Sequence, residues 1–250
     1  IENLRFFGMG STPPRARGVF APTAFATPID RDRIDASVHT SSSSSSSSIH
    51  TRRCVVVGPP ESGKTTMLLR FCIRFIKENP GAKALFIARR DAMERARIHA
   101  TRVEMLGDVE AVEAIGMRYV ESDEDVRTLA CFRHLWAKEE QPRLVVVDDL
   151  GSVMGGSKVD RTVTREMSYA KTLAALHECA RDDETGEERL LVVSERTDEA
   201  TGKAPMLSVY NKWFGEVLQI HRVHGEGGGS EWDLVAQTDG ASVRYSTSRG

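Results

Sequence analysis

Paired cysteines are absent: Cys54, Cys72, Cys131 and Cys179 are scattered, with no CxxC among them, which excludes a disulfide framework and reads as reduced thiols in an intracellular protein. Long apolar runs are missing too. No stretch approaches the roughly 18 residues of a membrane-spanning helix, and the N-terminal portion lacks the charged-then-apolar layout of a secretory signal. Neither sign of charge dominates, since 34 basic residues face 36 acidic ones for a net charge of −2. Any surface for nucleic acid must therefore be local, and no membrane partner is expected. What is present is 250 residues, 40% of them hydrophobic, enough for one sizeable core and not for two.

The chain divides by composition. Residues 1–50 interrupt every apolar pair with Gly, Pro, Thr or Ser and include eight consecutive serines, Ser41 to Ser48, predicting a disordered Ser-rich tail. The sequence opens on Ile1, and Met9 is a candidate start. Ser and Arg in this tail suit an organellar transit peptide, whereas Glu2, Asp30, Asp32 and Asp35 speak against one.

Residues 51–250 read as a single α/β domain. Apolar runs predict buried parallel strands at Cys54–Val57, Ala84–Ala88, Met117–Val120, Leu144–Val147 and Leu190–Val193. Helices are expected between them: one with Met67, Leu68, Phe71, Cys72, Phe75 and Ile76 on a single stripe, another from about Asp91 to Leu106. A third is capped at Ser122 with Val126, Leu129, Phe132 and Trp136 inward, and a fourth has Met167, Ala170, Leu173, Ala174 and Ala180 inward. The end changes character, with Glu216–Val223, Glu231–Gln237 and Ala241–Ser246 separated by turn residues. This predicts an antiparallel β-meander appended to a mostly parallel sheet.

Between the first strand and the first helix lies Gly58-Pro59-Pro60-Glu61-Ser62-Gly63-Lys64-Thr65, followed by Thr66, which matches the P-loop spacing in the required strand-to-helix context. Two glycines let the loop curl close to phosphates, and its N–H groups and the helix N-terminus point positive dipole at them. Lys64 would reach the β and γ phosphates. Thr65 would ligate Mg²⁺, and Asp148, at the exit of the fourth strand, is the carboxylate expected to hold that ion. ATP and Mg²⁺ are thus the predicted ligands, with Lys64 and Asp148 as the residues serving chemistry. The alternative for the acidic pair Asp148 and Asp149 is a solvated loop entrance or a helix cap, and Asp148 is favoured because the four apolar residues before it put it at the carboxyl edge of the sheet.

Taken together, the P-loop, Ala84 to Arg90, the Leu144 to Leu150 strand end and the closing stretch Trp232 to Ser246 resemble the RecA/Rad-type recombinase core. Within it the chain looks most like the small ATPase partner of SWIM-domain proteins in Shu-type complexes. The resemblance implies a RecA-like P-loop NTPase core and a nuclear role in homologous-recombination repair. Its implied partners are a SWIM-domain zinc-binding protein, a Rad-type recombinase and single-stranded DNA. Active recombinases carry a catalytic glutamate just beyond the second strand, where this chain has Arg89 or Arg90, implying slow hydrolysis. Glu195 falls where they place a γ-phosphate-sensing glutamine. By the same resemblance, two DNA-facing loops correspond to Gly151–Arg165, with Lys158, Arg161 and Arg165, and to Thr197–Lys212, with Lys203, Tyr210 and Lys212, then Trp213. A free-standing P-loop NTPase or small-molecule kinase is the alternative. Zinc is not expected, because His221 and His224 on a strand point to opposite faces.

Overall fold

The computed structural model describes residues 52–95, 108–154, 164–181, 189–223 and 230–247, with the backbone of Arg5–Phe7. Outside them fall the serine run, the continuation of the expected second helix beyond Arg95, Lys158 and Arg161 of the first loop, and His224 with the Gly225 to Gly229 turn. In chain order the elements are β1 (Arg5–Phe7), β2 (Arg53–Gly58), α1 (Lys64–Glu78), β3 (Ala84–Ala88), α2 (Arg90–Arg95), α3 (Val109–Glu113) and β4 (Ile115–Tyr119). Next come α4 (Asp123–Cys131), β5 (Leu144–Val147), α5 (Leu150–Val153), α6 (Arg165–Cys179) and β6 (Leu190–Arg196). The last are α7 (Leu207–Trp213), β7 (Glu216–Val223), β8 (Ser230–Ala236) and β9 (Ser242–Thr247). Two short 3-10 turns link α4 to β5.

Among the described residues, all nine strands join one sheet in the order β1-β9-β8-β7-β2-β6-β5-β3-β4. Pairing is parallel from β7 through β2, β6, β5 and β3 to β4, and antiparallel from β7 through β8 and β9 to β1. The expected α/β fold, a mostly parallel sheet with a C-terminal antiparallel meander, is what forms. Three residues inside the expected tail, Arg5–Phe7, pair with Ser246, Tyr245 and Arg244 at its edge.

Strand runs buried on both sides explain why the parallel core reads as unbroken Val, Ile and Leu. Alternate residues of each strand go to opposite layers. Cys54, Val56, Phe86, Val146 and Val192 pack with α1 and the meander. Val55, Val57, Leu85, Ile87, Val145, Val147 and Val193 pack with α4, α5, α6 and α7. β6 lies between β2 and β5, so the strand feeding the P-loop and the strand ending at Asp148 are not neighbours.

Local departures from the sequence pattern have simple causes. Phe132, expected in the core, begins a 3-10 turn that rotates it outward to 52% exposure. Met167 is likewise exposed, because α6 turns Tyr169, Thr172, Leu173, Leu176 and Cys179 to the sheet instead. Gly151 to Val153, expected to open a long loop, instead belong with Leu150 to the short helix α5. The capping box at Ser122 is present, with Asp125 closing it. Among the cysteines, Cys54, Cys72 and Cys179 are buried and Cys131 is exposed, and none of the four is in a disulfide.

Candidate nucleotide site

The loop from Gly58 to Gly63 turns β2 into α1 through two residues in the left-handed region, Glu61 at φ 57° and Gly63 at φ 81°. Gly63 is the helix N-cap, a position where that φ favours glycine. Gly58 is small for another reason: a Cβ there would come within 2.7 Å of Ile220 on β7. Pro59 and Pro60 are half-buried, Glu61 is exposed and Ser62 is fully buried. Tyr245 of β9, itself fully buried, donates its hydroxyl to the Ser62 carbonyl at 2.7 Å. The meander therefore braces the P-loop from one side.

Lys64 folds back over the loop. Its ammonium donates to the Gly58 carbonyl at 2.8 Å and the Pro59 carbonyl at 2.6 Å. Burial, partly offset by the nearby Asp148 and Asp149 charges, pulls its pKa down to about 8. Thr65, half-buried on the first turn of α1, donates its hydroxyl to Asp148 Oδ2 at 2.6 Å. Thr66 follows, half-buried on the helix. The other Asp148 oxygen accepts from the Ser194 hydroxyl at 2.6 Å, and Ser194 Oγ itself accepts the Asp149 N–H at 2.8 Å. Burial raises the Asp148 pKa, opposed by these two hydroxyl donors. The P-loop and Asp148, 83 residues apart, are thus joined by one hydrogen bond.

Ser194 and Glu195, adjacent on β6, face opposite layers. Glu195 points away from α1 and into the α6/α7 layer, where its Oε2 accepts from Tyr210 at 2.5 Å and Tyr169 at 3.3 Å. Its Oε1 accepts the Arg196 N–H at 2.9 Å and closely abuts Gly151, where a Cβ would meet it at 2.2 Å. The reading that Glu195 faces the phosphates is corrected here: strand alternation places Ser194, not Glu195, beside Asp148. Arg89 follows Ala88 at the strand end, pairs with Asp91 and donates to the Ser152 carbonyl of α5 at 3.0 Å. Arg90 lies over the Tyr119 ring.

The proposed DNA loops are less open than their sequence suggests. Tyr210, expected as a stacking aromatic, is fully buried with its hydroxyl on Glu195. Trp213 is half-buried against the His177 ring at 4.9 Å. Lys203, Lys212 and Arg165 are exposed.

The residues fit a phosphate-bound Mg²⁺. Thr65 Oγ1 and Asp148 Oδ2 present two hard oxygens within one hydrogen-bond length. That suits an ion taken by few protein ligands and completed by phosphate and water.

A family model described as AAA domain matches residues 49–193. The chain belongs to this AAA domain family. It is accordingly a P-loop NTPase of the RecA-like class, a nucleotide-binding ATPase fold. No curated protein matches the sequence. The AAA domain match ends at Val193, so it takes in the P-loop, Asp148 and Asp149 but neither Ser194 nor the bracing strands β7 to β9. Sequence reading missed Ser194, Tyr245 and Ile220 because each acts by where the sheet places it. A polar residue ending an apolar strand was the one available signal, and it marked Ser194. Among the described residues, no helix of this AAA domain is long and apolar enough to cross a membrane.

Proposed function

We propose that the chain is an ATP-binding recombination accessory subunit with slow hydrolysis. In this reading it pairs with a SWIM-domain zinc-binding protein, contacts single-stranded DNA, and helps a Rad-type recombinase assemble in the nucleus. Lys64, Gly58 to Gly63 and the first turn of α1 with Thr65 and Thr66 cradle the triphosphate. Thr65 and Asp148 hold Mg²⁺, which would supply charge neutralisation along the phosphates. The observation that carries the slow-turnover reading is Arg89: a cation, paired with Asp91, stands at the strand end where active recombinases put a carboxylate. DNA contact draws support from exposed Lys203, Lys212 and Arg165 and loses the stacking role of Tyr210. The partner proposal rests on resemblance alone.

Mass spectrometry of proteins co-purifying with the tagged chain from its native extract tests the reading. Recovery of a SWIM-type zinc-binding protein is the expected result, and its absence from an otherwise efficient purification overturns the partner assignment. A free-standing P-loop NTPase is the second reading, favoured by a family match that carries no partner. Steady-state turnover on the ordinary enzyme scale of roughly 1 to 10³ per second, without DNA or partner, would favour it.

A further inference from the structure

β1 lies outside the nucleotide site, and the function given above makes no use of it. Arg5, Phe6 and Phe7 pair antiparallel with Ser246, Tyr245 and Arg244, so of the six residues of β9 the three they cover are centred on Tyr245. On its other side Tyr245 stands opposite Trp232 of β8. Without β1, this stretch of β9 would be a bare sheet edge with a row of unpaired N–H and C=O groups. Docking is shallow enough to be reversed. Three residue pairs make a short ladder, and pairing of that size is marginal by itself. In sheet order β1 and β2 stand four strand spacings apart, about 19 Å. Residues 8–52 link them, and closing so long a link costs little more than closing a shorter one.

Tyr245 carries the contact inward. Fully buried, it donates its hydroxyl to the carbonyl of Ser62, 183 residues earlier in the chain. Ser62, also fully buried, passes it on: its hydroxyl donates to the Pro59 carbonyl at 2.9 Å, and its Oγ accepts from the Lys64 ammonium at 3.4 Å. Ser62 also sits between the two left-handed residues of the loop, Glu61 at φ 57° and Gly63 at φ 81°. A left-handed non-glycine residue is a costly turn that its surroundings must hold in place. Pinning the carbonyl between the two therefore fixes how the loop curls. A continuous line of contacts runs from β1 across β9 to the middle of the phosphate loop.

We propose that Arg5–Phe7 is an intramolecular effector strand: docked on β9, it holds Tyr245 against Ser62 and raises nucleotide affinity, and bound nucleotide in turn holds the strand docked. The proposal rests on the nucleotide-binding part of the function given above. Its physical basis is ordering. A loop already curled by the Tyr245 hydroxyl has less freedom to lose when phosphates arrive, so more of the binding energy appears as affinity. Linkage makes the effect mutual, since a strand that raises nucleotide affinity by some factor is itself held more tightly by that factor.

The test is a double-mutant cycle on the full chain, read by the Kd of a fluorescent ATP analogue, with thermal melts for folding. Phe6→Pro with Phe7→Pro unseats β1: neighbouring residues of a strand point their N–H groups to opposite sides, so one of the two prolines removes a ladder donor. Tyr245→Phe removes the hydroxyl that reaches Ser62. Each change is expected to weaken analogue binding about fivefold, and the two together also about fivefold, because both cut the same line. An unchanged Kd in the proline variant overturns the proposal, as does a combined loss of about 25-fold, the product of independent effects. Hydrogen exchange on the wild-type chain needs no variant: saturating analogue should slow exchange at Arg5–Phe7 about fivefold, and equal rates with and without it overturn the proposal. A wild-type chain that binds no analogue overturns the nucleotide reading and this one with it, whereas analogue binding indifferent to β1 overturns this one alone.

Discussion

Two buried carboxylates lie on opposite faces of the same sheet edge, each gripped by two hydroxyls, and they are built for different ends. Asp148 is held by Thr65 and Ser194, small side chains beside a buried ammonium and a glycine loop. Glu195 is held by Tyr169 and Tyr210, whose rings pack edge to face at 6.0 Å and fill the space around it. Small donors leave a carboxylate able to exchange a hydroxyl for a metal ion. Large ones seal it in. Similar chemistry thus gives a ligand site on one face and a structural plug on the other, and adjacent residues of β6, Ser194 and Glu195, serve the two.

The comparison breaks most visibly if the acids are removed in turn. Glu195→Ala should cost about 3 kcal/mol of unfolding free energy, because two buried tyrosine hydroxyls and the Arg196 N–H lose their acceptor. Asp148→Asn should leave chemical denaturation within about 1 kcal/mol of wild type, since burial already disfavours the charged form. It should also abolish the Mg²⁺ dependence of nucleotide affinity. A stable Glu195→Ala, or an Asp148→Asn whose affinity still rises with Mg²⁺, would dissolve the distinction.

Single hydroxyls sharpen it further. Tyr210→Phe removes the 2.5 Å donor and should cost about 1.5 kcal/mol in urea unfolding, with Tyr169→Phe, at 3.3 Å, costing less. The smallest effect concerns Lys64. Its pKa is depressed to about 8 in the nucleotide-free fold, from an ordinary 10.5, so that fold loses the ammonium as pH rises through 8. Phosphates favour the charged form, so nucleotide binding at pH 8 should take up about half a proton, and affinity should decline from pH 8 toward 10. Calorimetry in buffers of different ionisation enthalpy measures the uptake directly.

Much of the fold was legible because a parallel sheet buried on both faces writes itself as Val- and Leu-rich runs, and those runs became β2, β3, β5 and β6. The P-loop was legible for a different reason: its glycines, Lys64 and Thr65 each have a local job at a fixed spacing. What stayed hidden depends on the sheet as a whole. Nothing in Ser194-Glu195 says which residue faces Asp148 until strand register decides it. Tyr210 looked like a surface aromatic because its partner lies 15 residues away on another element. Phe132 misled because a helical stripe and a 3-10 turn differ by only a small rotation per residue, and Met167 because α6 turns the Tyr169, Leu173 and Leu176 stripe to the sheet instead.

β6 has a consequence for how the protein comes into being. It follows both β2 and β5 in the chain, yet it wedges between the P-loop strand and the strand that ends at Asp148. Until residues 190–196 have emerged and inserted, β2 has no neighbour on that side and Thr65 has no settled acid to meet. The tyrosine that steadies Ser62 emerges later still, at 245. A nascent chain halted before that wedge carries every residue of the P-loop and no assembled site, so nucleotide becomes available as a folding ligand only once β6 is in place.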